Sequence, residues 1–234
     1  MTLAIMQPYF LPYIGYFQLM NAVDCFVLYD NIKYTKKGWI NRNRMLVNGK
    51  DEYFSLPLQK DSDYLNVCER KLAETAPDEN RKTFRKIKEV YKKAPQMLHM
   101  EWIMEEIFNN KERNLFDFIF HSIKQVNMYL DIQTKIIVSS TIPIDHQLKA
   151  EDKVIAICKA LNAERYINPI GGQALYNKET FSNQNLELCF LQSEPFEYAQ
   201  FGNGFVPWLS ILDVLMFNDK NTVKDYLSKA YQLI

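Results

Sequence analysis

The chain has 234 residues, 47% of them hydrophobic and 14% aromatic, which is enough apolar material for a full core and excludes a disordered chain. Lysine plus arginine and aspartate plus glutamate both number 28, and the resulting zero net charge argues against a whole-molecule nucleic-acid binder. No apolar run reaches the roughly 20 residues of a membrane-spanning helix, and the amino terminus lacks the basic opening of a signal peptide, so the expected location is cytoplasmic.

Residues 2–6 (TLAIM) read as a short buried strand. Pro8 and Pro12 delay the next helix, whose apolar spacing over 13–23 is close to helical. Residues 24–30 (DCFVLYD) have the unbroken apolar middle of a strand covered on both faces. Strand, helix and strand within this distance make a βαβ unit, which implies parallel strands. Residues 31–59 alternate polar and apolar side chains, with Asn48-Gly49 as a two-residue hairpin turn. Long helices follow over 79–108 and 112–129, the first kinked or ended at Pro95.

Strand patterns return at 134–140, 164–172 and 185–192, with a helix over 150–163. The chain closes on an aromatic loop and helix, where Pro207 can open a helix. The expected fold is α/β: a Rossmann-like parallel sheet of about five strands with an antiparallel excursion. The whole of 1–234 reads as a single domain, with a mainly helical insertion at about 75–130. The cysteines at 25, 68, 158 and 189 are scattered without a C-x-x-C pair, which excludes zinc and thioredoxin-like motifs.

Ligands in open parallel sheets bind beyond the carboxyl ends of the strands, where the strand order reverses. The first strand is usually central, so the loop after it lies over that position. Gln7 offers an amide donor and acceptor. Tyr9, Tyr13 and Tyr16 offer rings and hydroxyls, and Gly15 lets a ligand approach a helix start.

The run 33–44 (KYTKKGWINRNR) carries five cations and no acid. In an extended segment Arg42 and Arg44 share one face and Asn41 and Asn43 the other. Two guanidiniums on one face suit a diphosphate or a carboxylate. Trp39 can stack on a base or sugar, and Tyr34 and Lys36 complete the candidate binding segment.

Asp30, at the carboxyl end of the second strand, is the candidate for general base or ribose binding, with His146 after the third strand as the other candidate acid or base. His99 and His121 fall in the helical insertion and read as structural. Ser139 and Ser140 are candidate ligand contacts without the glycine elbow of a hydrolase. Gly171 and Gly172 form a turn that can bind phosphate through backbone N–H groups, although it lacks the lysine of a P-loop. Ser210 and Asp213 share a helix face, and Asp213 needs a fixed hydrogen-bond partner, in a loop or in a substrate. No motif identifies a cofactor or a metal centre. Magnesium enters only as an ion that Asp30 could hold together with a substrate phosphate.

Pro12-Tyr13-Ile14-Gly15-Tyr16, after a strand and a proline loop, resembles the opening of the nucleotidyltransferase superfamily, where His-x-Gly-His contacts a triphosphate. The matching positions here are Tyr13 and Tyr16, which carry no positive charge. Ser139-Ser140-Thr141 is similar to that superfamily's Ser-Ser-Thr motif, but Ile142, Pro143 and Ile144 follow in place of the expected basic residue. A resemblance over nearly the whole chain is to the WbqC-like family, carried by MQPYFLPYIGYFQLM, WINRNRM, ICKALNAERYINPIGG and FVPWLSILDVLMFN.

That second resemblance implies a setting in bacterial surface-polysaccharide synthesis, O-antigen or capsule. The role expected there is transfer of an acyl or aminoacyl group to a nucleotide-activated amino sugar, with Asp30 or His146 handling the proton. A small-molecule nucleotide sugar and an acyl or aminoacyl donor are the expected partners. The alternatives are a nucleotidyltransferase using a triphosphate and magnesium, and a non-catalytic binding or scaffold protein of a polysaccharide assembly complex.

Overall fold

The computed structural model describes residues 1–202 and 204–234. In chain order the elements are β1 (Thr2–Met6), α1 (Ile14–Asn21), β2 (Cys25–Leu28), β3 (Arg42–Val47) and β4 (Lys50–Ser55). Then come the helices α2 (Ala76–Tyr91), α3 (Met97–Phe108) and α4 (Leu115–Leu130). The chain continues through β5 (Lys135–Val138), α5 (Ala150–Ala160), β6 (Arg165–Pro169), α6 (Lys178–Ser182) and β7 (Glu187–Ser193). It ends with α7 (Ile211–Phe217), α8 (Lys220–Lys229) and β8 (Tyr231–Leu233).

The main sheet has the order β5-β2-β1-β6-β7-β8. The first five strands of that order are parallel, and β8 runs antiparallel to β7. All four residues of β2 are buried. A strand flanked by two strands and covered on both faces has no position for a polar side chain, so its sequence is an apolar run. The chain starts at β1, moves outward through β2 to β5, then returns to the other side of β1 with β6. The strand order therefore reverses between β1 and β6.

Alternation along β1 divides the core. Ala4 packs on one face with Phe17, Met20 and Val126, on the side of α1 and α4. Leu3 and Ile5 pack on the other face with Ile157, Cys158 and Phe181, on the side of α5 and α6. The hairpin β3–β4 and helices α2 and α3 do not build a core of their own. Met45, Leu46, Phe54, Ile87 and Ile103 join the first of these two clusters.

The hairpin turn is as expected: Val47 pairs with Lys50, and Asn48 and Gly49 take φ of 50° and 77°, the left-handed pair a two-residue turn requires. The helical stretch 79–108 breaks at Pro95 as expected, into α2 and α3, since proline cannot continue the ladder. Three points differ from expectation. The strand expected over 134–140 stops at Val138, because Ser139–Thr141 tighten into a 3-10 turn. Pro207 opens no helix, since Trp208 follows at φ 61° and α7 begins only at Ile211. Finally, β8 was not expected, because its Tyr-Gln-Leu sequence is too short and polar to carry a pattern.

Candidate functional site

The loop after β1 is fixed from three sides. Phe10 and Leu11 are fully buried. Asn43, on β3, donates from Nδ2 to the Leu11 carbonyl at 2.8 Å and the Phe10 carbonyl at 3.3 Å. Ser210 donates from Oγ to the Leu11 carbonyl at 2.7 Å, and the Ile211 amide donates to the Pro12 carbonyl at 2.9 Å. Tyr16 is buried and donates from its hydroxyl to the Gln7 carbonyl at 3.0 Å. A loop whose prolines remove backbone donors has carbonyls to satisfy, and these side chains do so.

What the loop leaves accessible is a cleft of about 480 Å³ at the carboxyl ends of β1, β6 and β7. Met6, Pro169, Leu191 and Ser193 come from the strand ends, and Tyr9, Tyr13, Gly15 and Tyr16 from the loop and α1. Trp39, Asn43, Arg44 and Trp208 contribute from the hairpin side and the loop before α7. The cleft lies at the reversal between β1 and β6, the ligand position of doubly wound sheets. Tyr13 is the N-cap of α1 but provides no side-chain acceptor; the Tyr16 amide donates to the Tyr13 carbonyl at 3.0 Å, and the Ile14 and Gly15 amides have no side-chain cap. A Cβ on Gly15 would stand 3.1 Å from the Tyr13 ring and 3.4 Å from Ser193 Oγ, so glycine keeps this corner open. Burial raises the pKa of Tyr9, Tyr13 and Tyr16, which keeps these hydroxyls protonated. A wider groove of about 780 Å³ lies at the amino ends of β6 and β7, around Arg165 and Glu187, away from the switch point.

Arg42 and Arg44 share a face, and each lies over an aromatic ring: Arg42 4.6 Å from the Tyr53 centroid, Arg44 5.3 Å from that of Trp39. The two rings stack 6.1 Å apart. Of the two arginines Arg44 lines the cleft. It pairs with Asp51 at 3.1 Å and donates to the Trp208 carbonyl at 3.0 Å. Arg42 donates to the Gly38 and Lys37 carbonyls. Asn41 donates to the Leu56 carbonyl at 2.9 Å and accepts from the Tyr34 hydroxyl at 2.8 Å. Lys36 forms an exposed ion pair with Asp63. Tyr34, Lys36, Asn41 and Arg42 thus brace the segment, while Trp39, Asn43 and Arg44 reach the cleft.

Asp30 belongs to a second group at the ends of β2 and β5. It is 3% exposed. Its Oδ1 lies 2.8 Å from the Ser139 hydroxyl and accepts from the Ser140 amide at 2.9 Å. Ser139 Oγ is also 2.7 Å from Asn31 Oδ1, and Asn31 Nδ2 is 2.9 Å from His146 Nδ1. An amide N–H donating to Nδ1 places the ring proton on Nε2, which faces the Ile142 carbonyl at 3.1 Å. Buried Lys153 donates to the His146 carbonyl. The structure therefore brings Asp30, Ser139, Ser140 and His146 together, one strand away from the cleft and outside its lining. Among the described residues no three His, Cys, Asp or Glu side chains gather to hold a metal.

The remaining candidates divide as well. Ser210 caps α7, accepting from the Leu212 amide. Asp213 is fully buried and accepts from Tyr91 at 2.7 Å, Tyr198 at 2.6 Å and Gln200 at 2.9 Å, so its partners are protein groups. Gly171 and Gly172 lie in a 3-10 turn over Ile170–Leu175 rather than an anion-binding loop of positive φ. Ser193 and Trp208 were missed. Ser193 closes β7 one residue beyond Gln192 and its apolar run, so it was legible as a strand end. Trp208 is 63% exposed and reaches the cleft through a tertiary return that no local pattern reports.

A sequence model of the WbqC-like protein family matches residues 7–225. An uncharacterized protein of Mycobacterium tuberculosis (strain ATCC 25618 / H37Rv), Rv1507c, is 25% identical over 236 residues, an alignment covering 98% of each chain. No solved structure matches the chain. No helix is long and apolar enough to cross a membrane, among the described residues.

Proposed function

The chain belongs to the WbqC-like protein family, and we propose that it is a transferase of bacterial surface-polysaccharide synthesis that acts on a nucleotide-activated amino sugar. The observation that carries this is the aromatic cleft at the strand-order reversal, with the uncapped start of α1 and Arg44 on its border. Aromatic faces suit a base or the apolar face of a sugar. A helix start and a guanidinium suit phosphate. The group transferred is an acyl or aminoacyl group: the neutral sugar amine forms the amide bond as the donor's acyl–leaving-group bond, that of a thioester for acyl-CoA, breaks, and the proton the nitrogen loses leaves with the departing group; an amine that arrives as its ammonium first gives up one proton more.

Neither expected base lines the cleft: Asp30 is 3% exposed and bonded to Ser139 and Ser140, and both ring nitrogens of His146 are engaged, so we give the proton to the departing group of the donor and keep Asp30 as a positioning residue. Asp30 stands at the end of β2, next to β1 in the sheet. Magnesium, in this reading, arrives with the substrate phosphate. The nucleotidyl-transfer alternative is weakened by Tyr16, whose hydroxyl is spent on the Gln7 carbonyl.

The test is a thermal-shift series with UDP-, dTDP- and GDP-amino sugars, nucleoside triphosphates and acyl-CoA, each with and without magnesium. A ligand that binds only the folded state raises the melting midpoint with concentration. The expected result is a shift with an amino-sugar nucleotide that is lost in Trp39→Ala. A shift confined to triphosphate with magnesium would replace this assignment with nucleotidyl transfer. No shift at millimolar ligand would leave a scaffold role in its place. With the ligand in hand, Asp30→Asn is expected to lower transfer, followed by mass spectrometry, by about tenfold or less; a loss of about 100-fold or more with the ligand-induced shift intact would make Asp30 the base after all.

A further inference from the structure

A second chamber, of about 240 Å³, adjoins the cleft and shares Tyr13, Ser193 and Trp208 with it. Tyr13 and Trp208 stand between the two, ring centroids 5.1 Å apart. Three more rings line the chamber, Phe196, Tyr198 and Phe205. They are not loosely placed. Phe196 packs 4.2 Å from the Tyr226 ring and 5.4 Å from Tyr198, which in turn meets Phe205 edge-on at 5.2 Å. The Tyr198 hydroxyl is tied to buried Asp213 at 2.6 Å, which holds the ring by its hydroxyl edge.

The charge around these rings has one sign. Glu194 and Glu197 line the chamber, and no lysine or arginine does. Neither carboxylate takes part in an ion pair among the described residues. Rings alone would be a piece of core, and exposed glutamates alone a solvated surface. Five aromatic rings around a cavity with two uncompensated carboxylates make an environment that favours a cation: ring faces attract it through their quadrupoles, and the carboxylates attract it by charge. The volume is below the roughly 300–1,000 Å³ of pockets for drug-sized ligands, so the occupant is a small group and not a nucleotide.

We infer that this chamber is a binding site for an ammonium group, the protonated amine of an amino sugar or of an aminoacyl donor. The choice of an amino sugar or an aminoacyl donor rests on the transferase reading above; the preference for an ammonium does not, since nothing in the chamber's chemistry requires a phosphate. Its shared wall with the cleft would present the amine-bearing molecule beside whatever the cleft holds, at Tyr13 and Ser193.

Two matched pairs test the site without any nucleotide: glucosamine against glucose, and glycinamide against acetamide, titrated into the full chain and followed by ligand-observed NMR. The expected result is that at least one amine binds about tenfold or more tightly than its neutral partner. That preference should fall with added salt. It should be lost in Glu194→Gln/Glu197→Gln and reduced in Phe205→Ala, with unchanged melting of the first variant showing that the fold persists. Preference for glucosamine alone assigns the ammonium to a sugar, and for glycinamide alone to an aminoacyl group. Equal affinity within both pairs, absence of binding, or an undiminished preference in the double variant overturns the proposal. Because no nucleotide is present, failure here leaves the cleft's assignment to be judged by its own titration.

Discussion

Asp213 has no exposure, and of its three hydrogen bonds one comes from distant Tyr91 on α2 and two from Tyr198 and Gln200 in the loop before α7. Burial raises its pKa above the ordinary 3.8, while the bonds from Tyr198, Tyr91 and Gln200 pull the other way. The folded state therefore takes up this proton at higher pH than the unfolded chain. Stability from this group rises as pH falls through the raised folded value, and levels off below the unfolded one. Exposed carboxylates such as Asp63, Asp131 and Glu187, whose pKa is lowered by neighbouring lysine or arginine, act in the opposite sense. Comparison with Asp213→Asn cancels them. The variant should be less stable at neutral pH by about 1–3 kcal/mol, since an amide N–H₂ then faces the Gln200 N–H₂. Urea titrations of both proteins should show the gap widening as pH is lowered towards 3.8; a gap that narrows would mean the carboxyl is not destabilised by burial. The thiols give a simpler outcome. Cys68 is pushed up to about 11, chiefly by burial and then by Asp30 and Glu69, and Cys158 up to about 12 by burial. Both should resist iodoacetamide at neutral pH in the folded protein and react on unfolding, as read by intact mass.

The turn after β6 separates two glycines that look alike in the sequence. A Cβ on Gly172 would fall 2.0 Å from Nδ2 of Asn168, a buried side chain that accepts from the Tyr166 hydroxyl at 3.1 Å. A Cβ on Gly171 would meet nothing within 4 Å. Gly172→Ala should therefore cost about 1–3 kcal/mol by displacing the amide, and Gly171→Ala should be close to neutral; equal melting points for the two would contradict this packing. The pair also shows which signals were local. The parallel strands were legible because strands buried on both faces must be apolar throughout, as in Cys25–Leu28. The hairpin was legible because only Asn-Gly chemistry takes two left-handed residues in succession. By contrast, β8 exists because the edge of β7 offers unpaired groups to Tyr231–Leu233, and its own residues carry no period.

At the scale of the molecule, the first loop, the hairpin and the start of α7 are tied across long sequence distances. The Phe10 amide donates to the Ile40 carbonyl, Ser210 to Arg44, and Ile211 to Pro12, each at 2.9 Å, and the Leu46 amide to the Tyr91 hydroxyl at 2.9 Å. This convergence explains why the site was only partly legible. Tyr9 and Gly15 follow the first strand and could be placed from topology alone, and Arg44 from the strand period, whereas Gln7, which accepts from the Tyr9 hydroxyl, and Arg42 do not line the cleft. That Trp208 would face Tyr13, and that Arg44 rather than Arg42 would border the cleft, depends on bonds between segments more than a hundred residues apart. The same bonds make a prediction about cooperativity. If hairpin, loop and sheet share one core, the amides of Phe10, Leu46 and Ile211 must await the same opening as those of β1 and β2. Native-state hydrogen exchange should then return similar opening free energies for these three and for the Tyr29 amide, which donates to the Met6 carbonyl at 2.8 Å. The Ser62 and Tyr64 amides, held only by local side-chain oxygens, should exchange much sooner. Hairpin amides opening about 2 kcal/mol below the sheet would instead show that the insertion unfolds on its own. The Trp39 and Arg44 side of the cleft would then be a mobile wall on a rigid sheet.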